Sequence, residues 1–302
     1  MTRLLLKLFL FAGLFLVFDK LFIIVANRSA ESEVDRRLEY LVNGEINTNI
    51  FILGSSRGAR GIIAEQIKIK TGCSAYNLCY PGSNVVFHEF LLRTLIKFND
   101  KPEMILLVVD DDTEFKYNST IIFRKDRLYP LVKYRPIWTE LADCEGRSLI
   151  FPSMLVLDRL NKYNFDLRQK GFTSLDTINN CGSMPLSWQS RERDWNIDFG
   201  ERLYSKDNEL KEYIDAYKQI INICSINEIK LVIVFPPLLK THSETFEERI
   251  KRLGSPNTDY LIYESSNPAY RNEDLFHDVG HVMREGAEIF TDEIIDYINK
   301  NY

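Results

Sequence analysis

The sequence predicts an α/β protein in which a parallel β-sheet lies between two layers of helices, preceded by an apolar N-terminal segment. Short apolar runs alternate with stretches of helical periodicity through most of the chain. Two runs, 104–109 and 230–235, are almost wholly apolar, which is typical of strands buried on both faces of a parallel sheet. Strands that alternate with helices favour parallel pairing with helices on both faces.

Residues 4–26 form an almost wholly apolar run. As a helix this run would be about 34 Å long, enough to cross a hydrocarbon core of about 30 Å. Basic residues flank its beginning, and this bias predicts a single-pass membrane protein with a cytoplasmic N-terminus and an extracytoplasmic body. Asp19 and Lys20 interrupt the run off-centre, each at a cost in free energy. A cleaved signal peptide, with residues 8–18 as its apolar region, is the alternative.

We predict a cytoplasmic tail and transmembrane anchor over residues 1–27 and one domain over residues 28–302, long enough to bury a core. The net charge is −5, and three basic residues against one acidic residue in 1–27 leave −7 on the remainder. An acidic body argues against nucleic acid as a partner. The five cysteines contain no CxxC pair, so a single Cys144–Cys181 disulfide and free cysteines both stay open.

The elements of the body follow in order along the chain. The apolar runs predict strands over 49–53, 74–79, 104–109, 230–235 and 260–263. The helical spacing predicts helices over 31–43, 61–70, 85–98, 207–227, 244–253 and 284–299. The helix over 207–227 has the clearest pattern, because its apolar residues recur at intervals of three and four.

Residues 113–205 break this alternation, since they are rich in aromatic residues, Arg and Asp but have no strong period. We therefore predict a long insertion between two sheet strands, and such insertions often shape a ligand site. Trp138, Trp188 and Trp195 lie within it. They form either a sugar-stacking surface or the insertion's own small core.

The first strand ends in Gly54-Ser55-Ser56, a sequence suited to nucleophilic chemistry. Ligands of an open α/β sheet bind outside the carboxyl ends of the strands. A glycine there allows a tight turn, and a serine just beyond it can stand at the start of a helix, where free N–H groups point at developing negative charge. A serine nucleophile also needs a base, and the chain has only four histidines.

Residues 52–57 (ILGSSR) resemble the first sequence block of the SGNH (GDSL-type) hydrolases. The resemblance implies that Ser56 is the nucleophile, with Ser55 in place of the more usual Asp. Residues 76–84 (YNLCYPGSN) resemble the second block, whose glycine lends a backbone N–H to the oxyanion hole; this position falls on Gly82.

Asp278-Val-Gly-His281 and the helix that follows resemble the closing Asp-x-x-His block. The resemblance implies that His281 is the base and Asp278 its orienting partner. The Asp-x-x-His spacing occurs twice, since Asp274-Leu-Phe-His277 precedes Asp278-Val-Gly-His281. The helix that follows the second of these favours His281 as the base. We expect His277 to be a partly exposed loop residue. We expect His88 to be packed or solvated within a helix, and His242 is a candidate for the wall of the cleft.

The third block departs from the family pattern. Active members often carry Gly-x-Asn-Asp there, with the Asn completing the oxyanion hole, whereas residues 109–115 read VDDDTEF. We expect Asn84, Arg57 and Asp111 to contribute to oxyanion or substrate binding. Arg57 either binds a carboxylate or phosphate or pairs with one of Asp110–Asp112. The Asp triplet has no matching second carboxylate cluster, so we predict neither a metal nor a cofactor.

The resemblance implies a flavodoxin-like three-layer α/β/α domain and acyl-ester chemistry. Membrane-anchored relatives are linked to envelope polysaccharide assembly, some beside membrane-bound O-acyltransferases. This implies an O-deacetylase or an O-acetyltransferase that acts on a cell-envelope polysaccharide. A catalytically inactive glycan-binding or scaffold protein on the same fold is the main alternative. A phosphate- or cofactor-binding flavodoxin-like protein is a weaker one, because the first turn lacks spaced glycines.

Overall fold

The computed structural model describes residues 1–166, 168, 170–171, 177–188, 195, 200 and 202–301. The helices are α1 (Thr2–Glu31), α2 (Arg37–Val42), α3 (Ser56–Gly61), α4 (Ala64–Thr71), α5 (Val85–Phe98), α6 (Lys125–Leu128), α7 (Arg135–Cys144), α8 (Ile150–Met154), α9 (Lys211–Ile226), α10 (Glu244–Leu253) and α11 (Arg284–Asn301). The strands are β1 (Ile50–Leu53), β2 (Ala75–Asn77), β3 (Met104–Val108), β4 (Lys230–Phe235), β5 (Thr258–Ile262), β6 (Phe276–Asp278) and β7 (His281–Val282).

The chain divides into two compact units. The first consists of Met1–Val42 with Arg124–Gly171, and the second of Asn43–Phe123 with Phe172–Tyr302. The predicted boundary at residue 27 falls inside α1, and the extent of a membrane-spanning segment stays a prediction. The predicted insertion contributes to both units, and part of it lies outside the described residues.

A five-stranded parallel sheet forms the centre of the second unit, in the order β2-β1-β3-β4-β5. Ile50 pairs with both Ala75 and Met104, and Leu231 pairs with both Ile105 and Thr258. This is the flavodoxin-like strand order, in which the chain reverses direction across the sheet between β1 and β3. The prediction of a parallel α/β sheet is confirmed. The strand order also places the expected ligand site at the carboxyl ends of β1 and β3.

Helices cover both faces of this sheet. Alternate β-strand residues such as Met104, Leu106 and Val108 share one core cluster with Phe290 and Ile294 of α11. The helices α3 and α4 pack against α11 on this face, while α5 and α9 pack against each other and contact β1 and β4. All five residues of β3 are buried, as the uninterrupted apolar run requires. Each fully buried large aliphatic side chain contributes about 1.5–3 kcal/mol to folding.

The predicted elements agree closely with the observed ones where the pattern is strong. The helices α5 and α10 and the strand β4 have the predicted bounds. The predicted helix over 61–70 is divided, because α3 ends at Gly61 and α4 begins at Ala64. The antiparallel pair β6–β7, which precedes α11, was not predicted.

The first unit is built around α1. The predicted helix over 31–43 is confirmed only over α2, since α1 continues to Glu31 and a break precedes Arg37. The helix α1 packs on two 3-10 turns, Tyr129–Leu131 and Lys162–Phe165. Asn164 is buried and joins them, because its Nδ2 donates to the Tyr129 carbonyl at 2.7 Å. Most apolar side chains of α1 are exposed, and by length and composition this helix can cross a membrane.

Candidate active site

Ser56 stands at the turn between β1 and α3. Gly54 has a φ of +152°, and a Cβ there would lie 2.9 Å from Cβ of Val108, so this turn requires glycine. Ser55 caps the helix and Ser56 is its first residue. The first N–H groups of a helix have no acceptor within the helix. The Ser56 N–H is therefore available to a negatively charged oxygen.

The hydroxyl of Ser56 contacts the imidazole of His281. The Ser56 Oγ lies 2.7 Å from Nε2 of His281, and Nδ1 of His281 lies 2.8 Å from both carboxylate oxygens of Asp278. An ionised carboxylate only accepts hydrogen bonds, so Nδ1 carries the proton and Nε2 accepts from the serine hydroxyl. The three residues thus form a Ser-His-Asp arrangement in which the base is already oriented towards the nucleophile.

A tight turn between β6 and β7 holds the acid and the base together. Asp278 and His281 are direct partners across this pair, and Oδ1 of Asp278 accepts the backbone N–H groups of Gly280 at 2.8 Å and of His281 at 3.0 Å. Burial raises the pKa of Asp278, but the hydrogen bond and charge of His281 and the Gly280 N–H outweigh it and hold this pKa at about 2. Asp278 is therefore ionised at neutral pH.

Gly82 lies beside Ser56 on the wall of the same cavity. Its φ is +72°, and its carbonyl accepts the N–H of Ile122 at 2.9 Å. Within the described residues its own N–H donates to no backbone carbonyl. The Gly82 N–H can therefore act as a second oxyanion donor, as the resemblance implied.

Asn84 has a different role from the one expected. Its Oδ1 accepts the N–H of Phe87 at 3.1 Å, which caps α5, and its Nδ2 donates to the hydroxyl of Tyr213 at 3.0 Å. Asn84 is buried and does not line the cavity. Both the oxygen and the nitrogen of its side-chain amide bind groups within the fold. The expectation that Asn84 binds substrate is therefore wrong, and the residue is a helix N-cap.

The cavity next to Ser56 has a volume of about 480 Å³ and lies at the carboxyl ends of β1 and β3. Its walls combine the three expected site segments with the loop after β4. The lining residues are Ser55, Ser56, Arg57, Arg60, Pro81, Gly82, Asp110, Asp111, Asp112, Thr113, Thr120, Ile121, Leu238, Lys240, Val279, Gly280 and His281. Among these described residues there is no Asn, so no amide side chain completes an oxyanion hole in the family manner.

Two buried carboxyl groups, Asp110 and Glu114, lie next to the nucleophile turn. The Ser55 hydroxyl donates to Oδ1 of Asp110 at 2.5 Å, and the Asp110 N–H donates to Oε2 of Glu114 at 2.6 Å. Burial raises both pKa values, and the nearby charge of Asp110 raises the pKa of Glu114 further, to about 8. The pair therefore retains a proton at neutral pH. Sequence reasoning missed it, because nothing in the sequence marks Glu114 as buried.

The next two acidic residues are engaged in ion pairs. Asp111 contacts Arg202 at 2.9 Å and Lys240 at 2.7 Å, and Asp112 contacts Arg202 at 2.9 Å. Burial raises the pKa of Asp111, but the charges of Arg57, Lys240 and Arg202 outweigh it and lower this pKa. Asp111 lines the cavity as expected, yet its carboxylate is ionised and would repel an oxyanion. This excludes Asp111 as an oxyanion donor, and its contribution to substrate binding stays a prediction.

Arg57 makes its described hydrogen bonds with backbone carbonyls rather than with Asp110–Asp112, and its binding of an anionic ligand stays a prediction. Its side chain is buried, and its Nη2 donates to the carbonyl of Pro236 at 2.8 Å. This bond ties the nucleophile helix to the segment after β4. The guanidinium charge still acts through space, since it opposes the rise that burial causes in the pKa of Asp110 and helps to lower the pKa of Asp111. Arg57 thus balances the acidic residues and presents part of its surface to the cavity.

The other histidines lie outside this arrangement. His277 is buried rather than partly exposed, and its Nδ1 contacts the carbonyl of Trp188 at 3.0 Å, so that expectation is wrong. His242 contacts Glu247 at 3.0 Å and lines a neighbouring cavity of about 540 Å³. His88 is buried within α5, and burial lowers its pKa to about 3.

The three tryptophans do not form one surface. Trp138 is buried in the first unit, with the Arg159 guanidinium 4.8 Å from the centre of its ring. In the second unit Trp188 is exposed, and Trp195 packs against the main core cluster. All five cysteines are free, which settles the alternative left open for Cys144 and Cys181.

Comparisons with known proteins add little to this geometry. No protein-family model matches the sequence, and no curated protein matches it. Among solved structures, the chain is similar to an acetyl xylan esterase (Est2A) from the rumen bacterium Butyrivibrio proteoclasticus, with a TM-score of 0.36 and 9% identity. The match covers 83% of this chain and 63% of that chain. A likeness of this degree carries no functional argument, so the inference of function rests on the site.

Proposed function

We propose that this protein is a serine-dependent enzyme that hydrolyses an acyl ester or transfers the acyl group. The observation that carries the proposal is the continuous contact from Ser56 Oγ through His281 to Asp278, at 2.7 and 2.8 Å, on the wall of a cavity. A serine hydroxyl is a weak nucleophile unless a base removes its proton. Here the base is in reach and has a carboxylate to hold its tautomer.

The first half of the reaction forms an acyl-enzyme. The Ser56 Oγ attacks the ester carbonyl carbon while its proton moves to Nε2 of His281, and the carbonyl π electrons move onto oxygen. When the tetrahedral intermediate collapses, the carbon–oxygen bond to the alcohol breaks and the alcohol oxygen takes the proton from His281. Asp278 stays ionised and stabilises the imidazolium throughout.

The second half determines the type of enzyme. If water attacks the acyl-enzyme, the products are a free acid and the regenerated serine, and the protein is an O-deacetylase. If a sugar hydroxyl attacks, the product is a new ester, and the protein is an O-acetyltransferase. Both routes share the same acyl-enzyme. The backbone N–H groups of Ser56 and Gly82 would stabilise the oxyanion in each half.

We infer that the substrate is an acylated polysaccharide of the cell envelope. An N-terminal membrane anchor would hold the site outside the cytoplasm, where such glycans are assembled. The acyl group would come from the glycan itself or from a membrane-bound O-acyltransferase. The resemblance of residues 52–57 and 278–281 to membrane-anchored SGNH relatives supports this inference, and the cavity of about 480 Å³ has room for an acylated sugar unit.

The test is to label the full-length chain, purified in detergent, with a fluorophosphonate probe that reacts with activated serines. We expect the wild type to be labelled and both Ser56→Ala and His281→Ala to lose the label. Ser225→Ala, which changes an exposed serine of α9, is the matched control and should label normally. An unlabelled wild type that has a normal melting transition would contradict the proposal.

A non-catalytic glycan-binding protein is the second candidate. The absence of an Asn among the described cavity residues favours it, because the third oxyanion donor of active family members is missing. Binding and catalysis separate in one experiment with an O-acetylated oligosaccharide. Calorimetry would measure binding, and the same samples would be assayed for released acetate and for acetate transferred to an added sugar. Binding with neither product would support this candidate and contradict the enzymatic one.

A further inference from the structure

The apolar helix α1 contains one fully buried charge. Asp19 is 1% exposed, although most of its neighbours along the helix are exposed. Its two carboxylate oxygens accept the backbone N–H groups of Val156 and Leu157, both at 2.9 Å. Lys20 contacts Asp19 at 3.1 Å and donates to the carbonyl of Met154 at 2.7 Å. The two charges that interrupt the apolar run therefore bind the segment that follows α8.

Charged side chains of the same unit satisfy the backbone of this segment. The carbonyls of Pro152 and Ser153 accept from Arg159, and the carbonyl of Met154 accepts from Lys20. Asp19 accepts the next two free N–H groups. A short helix end normally leaves such groups to water. Here the protein itself supplies the partners, which the end of so short a helix and the residues after it need if they are to lie at membrane depth.

The side chains of the segment point the other way. We define the apolar loop as residues 149–157, which comprise the one-turn helix α8 and the residues on either side of it. Ile150, Phe151 and Met154 are each at least 60% exposed, whereas Pro152 and Val156 are buried inside the unit. Large apolar side chains exposed together mark an interaction surface. This one adjoins the exposed apolar surface of α1, because Asp19 and Lys20 hold the two in contact.

The depth of Asp19 along α1 indicates what covers this surface. A hydrocarbon core of about 30 Å takes up about 20 helical residues, and from Leu4 these extend to about Ile23. Asp19 then lies about 6 Å inside the boundary on the side of the body. A loop fixed to Asp19 lies at the same depth.

We propose that the apolar loop is a second membrane-contacting element, which inserts Ile150, Phe151 and Met154 among the lipid acyl chains of the leaflet next to the body. The inference depends on α1 crossing the membrane, which is part of the proposed function, but not on catalysis. It assigns a use to the charged pair within α1, because Asp19 exchanges water for two backbone N–H groups and the adjacent Lys20 offsets its charge. The bilayer, rather than a protein, is the partner because the loop continues the surface of the anchor.

The test is photolabelling of the full-length chain in phosphatidylcholine–phosphatidylglycerol vesicles that contain a lipid with a diazirine in its acyl chain. Mass spectrometry of the peptides locates the adducts. We expect adducts on α1 and on the apolar loop. Adducts on α1 alone would overturn the inference about the apolar loop but support α1 as a membrane anchor. Adducts on neither segment would contradict both the loop's contact with lipid and the membrane anchor. Acetate release measured on the same vesicles tests the proposed chemistry separately.

Two variants sharpen this test. In Ile150→Glu/Phe151→Glu we expect loop adducts to fall at least fivefold while α1 adducts stay constant. Ile226→Glu changes an equally exposed residue of α9 and is the matched control, with no change expected. If loop adducts are low because two copies cover each other's loops, chemical cross-linking will give a loop-to-loop dimer, and that result would overturn the assignment to lipid.

The role of Asp19 has its own readout. In Asp19→Leu the anchor becomes more apolar and should remain in the membrane, but the N–H groups of Val156 and Leu157 lose their acceptor. We expect their hydrogen exchange to accelerate at least tenfold and the loop adducts to fall. Unchanged exchange at these two amides would show that Asp19 does not hold the loop, and would overturn this part of the inference.

Discussion

The Ser55 hydroxyl donates a 2.5 Å hydrogen bond to Oδ1 of Asp110, and so joins the end of β1 to the end of β3. Ser55 precedes the nucleophile, and its carbonyl accepts the N–H of Ala59 in the first turn of α3. The residue therefore fixes the turn that carries Ser56 and, at the same time, stabilises a buried acid. In the resembled family this position is usually an Asp, which would place a second carboxyl group beside Asp110.

We expect Ser55→Ala to lower both stability and activity. The variant leaves a buried carboxylate oxygen without this donor, which costs about 1–3 kcal/mol. The free energy of unfolding measured by urea titration in detergent should fall by that amount. With p-nitrophenyl acetate as substrate, kcat should fall more than KM changes, since Ser55 fixes the turn that carries the nucleophile. Equal values for Ser55→Ala and the control Ser225→Ala would contradict a positioning role.

The raised pKa of Glu114 should make stability depend on pH. Burial and the charge of Asp110 raise this pKa to about 8, so the folded state holds a proton that the unfolded chain releases near pH 4.5. The contribution of Glu114 to stability is therefore fully present below about pH 4.5 and is lost as pH rises through about 8. Glu114→Gln cannot ionise, so its melting temperature should change less between pH 5 and pH 9 than that of the wild type. Glu285→Gln, at an exposed site, should retain the wild-type slope.

Asp278 should matter for catalysis more than for folding. Its pKa of about 2 keeps it ionised at neutral pH, and the stability it contributes is lost only as pH falls from about 4 through 2. Asp278→Asn should reduce kcat by about 10³–10⁴, because an amide no longer holds the required tautomer of His281. Steady-state kinetics at pH 7 measure this loss. A reduction below tenfold would show that another group orients the base.

Asn77 should be one of the most sensitive polar positions in the fold. Its buried Nδ2 lies 3.0 Å from the carbonyls of both Gly58 and Ile62, and its Oδ1 accepts the N–H of Cys79 at 2.9 Å. Asn77→Ala removes these three hydrogen bonds from a buried site, so we expect a loss of about 2–4 kcal/mol in the free energy of unfolding. Asn301→Ala, at an exposed site of α11, should lose less than about 0.5 kcal/mol.

The sheet and its main helices could be predicted from local pattern. The bounds of α5 and α10 agree because each has a clear apolar stripe and a capping side chain, Asn84 and Ser243. The pair β6–β7 could not be predicted, since its strands of three and two residues contain no apolar run that would mark them. The division of the chain into two compact units could not be predicted either, because it depends on contacts between segments far apart in sequence.

The candidate site shows the same limits. Ser56 and His281 could be proposed because short blocks around them carry family patterns. The Asp110–Glu114 pair could not, since charge in a sequence says nothing about burial. Arg57 was expected to meet an anion, but its bond to a backbone carbonyl depends on where the segment after β4 passes. Local sequence identified the reacting groups, and tertiary packing determined their electrostatic surroundings.

The cap on Asp19 also has a consequence for biogenesis. Its partners Val156 and Leu157 are 137 and 138 residues further along the chain. At 5–20 residues per second, the ribosome completes that stretch roughly 7 to 27 seconds after Asp19. If α1 spans the membrane as proposed, it would enter the bilayer during this interval with Lys20 as the ionic partner beside the carboxylate. On the proposed topology, the anchor would reach its final position late, only when the apolar loop has been translocated and has bound Asp19 at the bilayer surface.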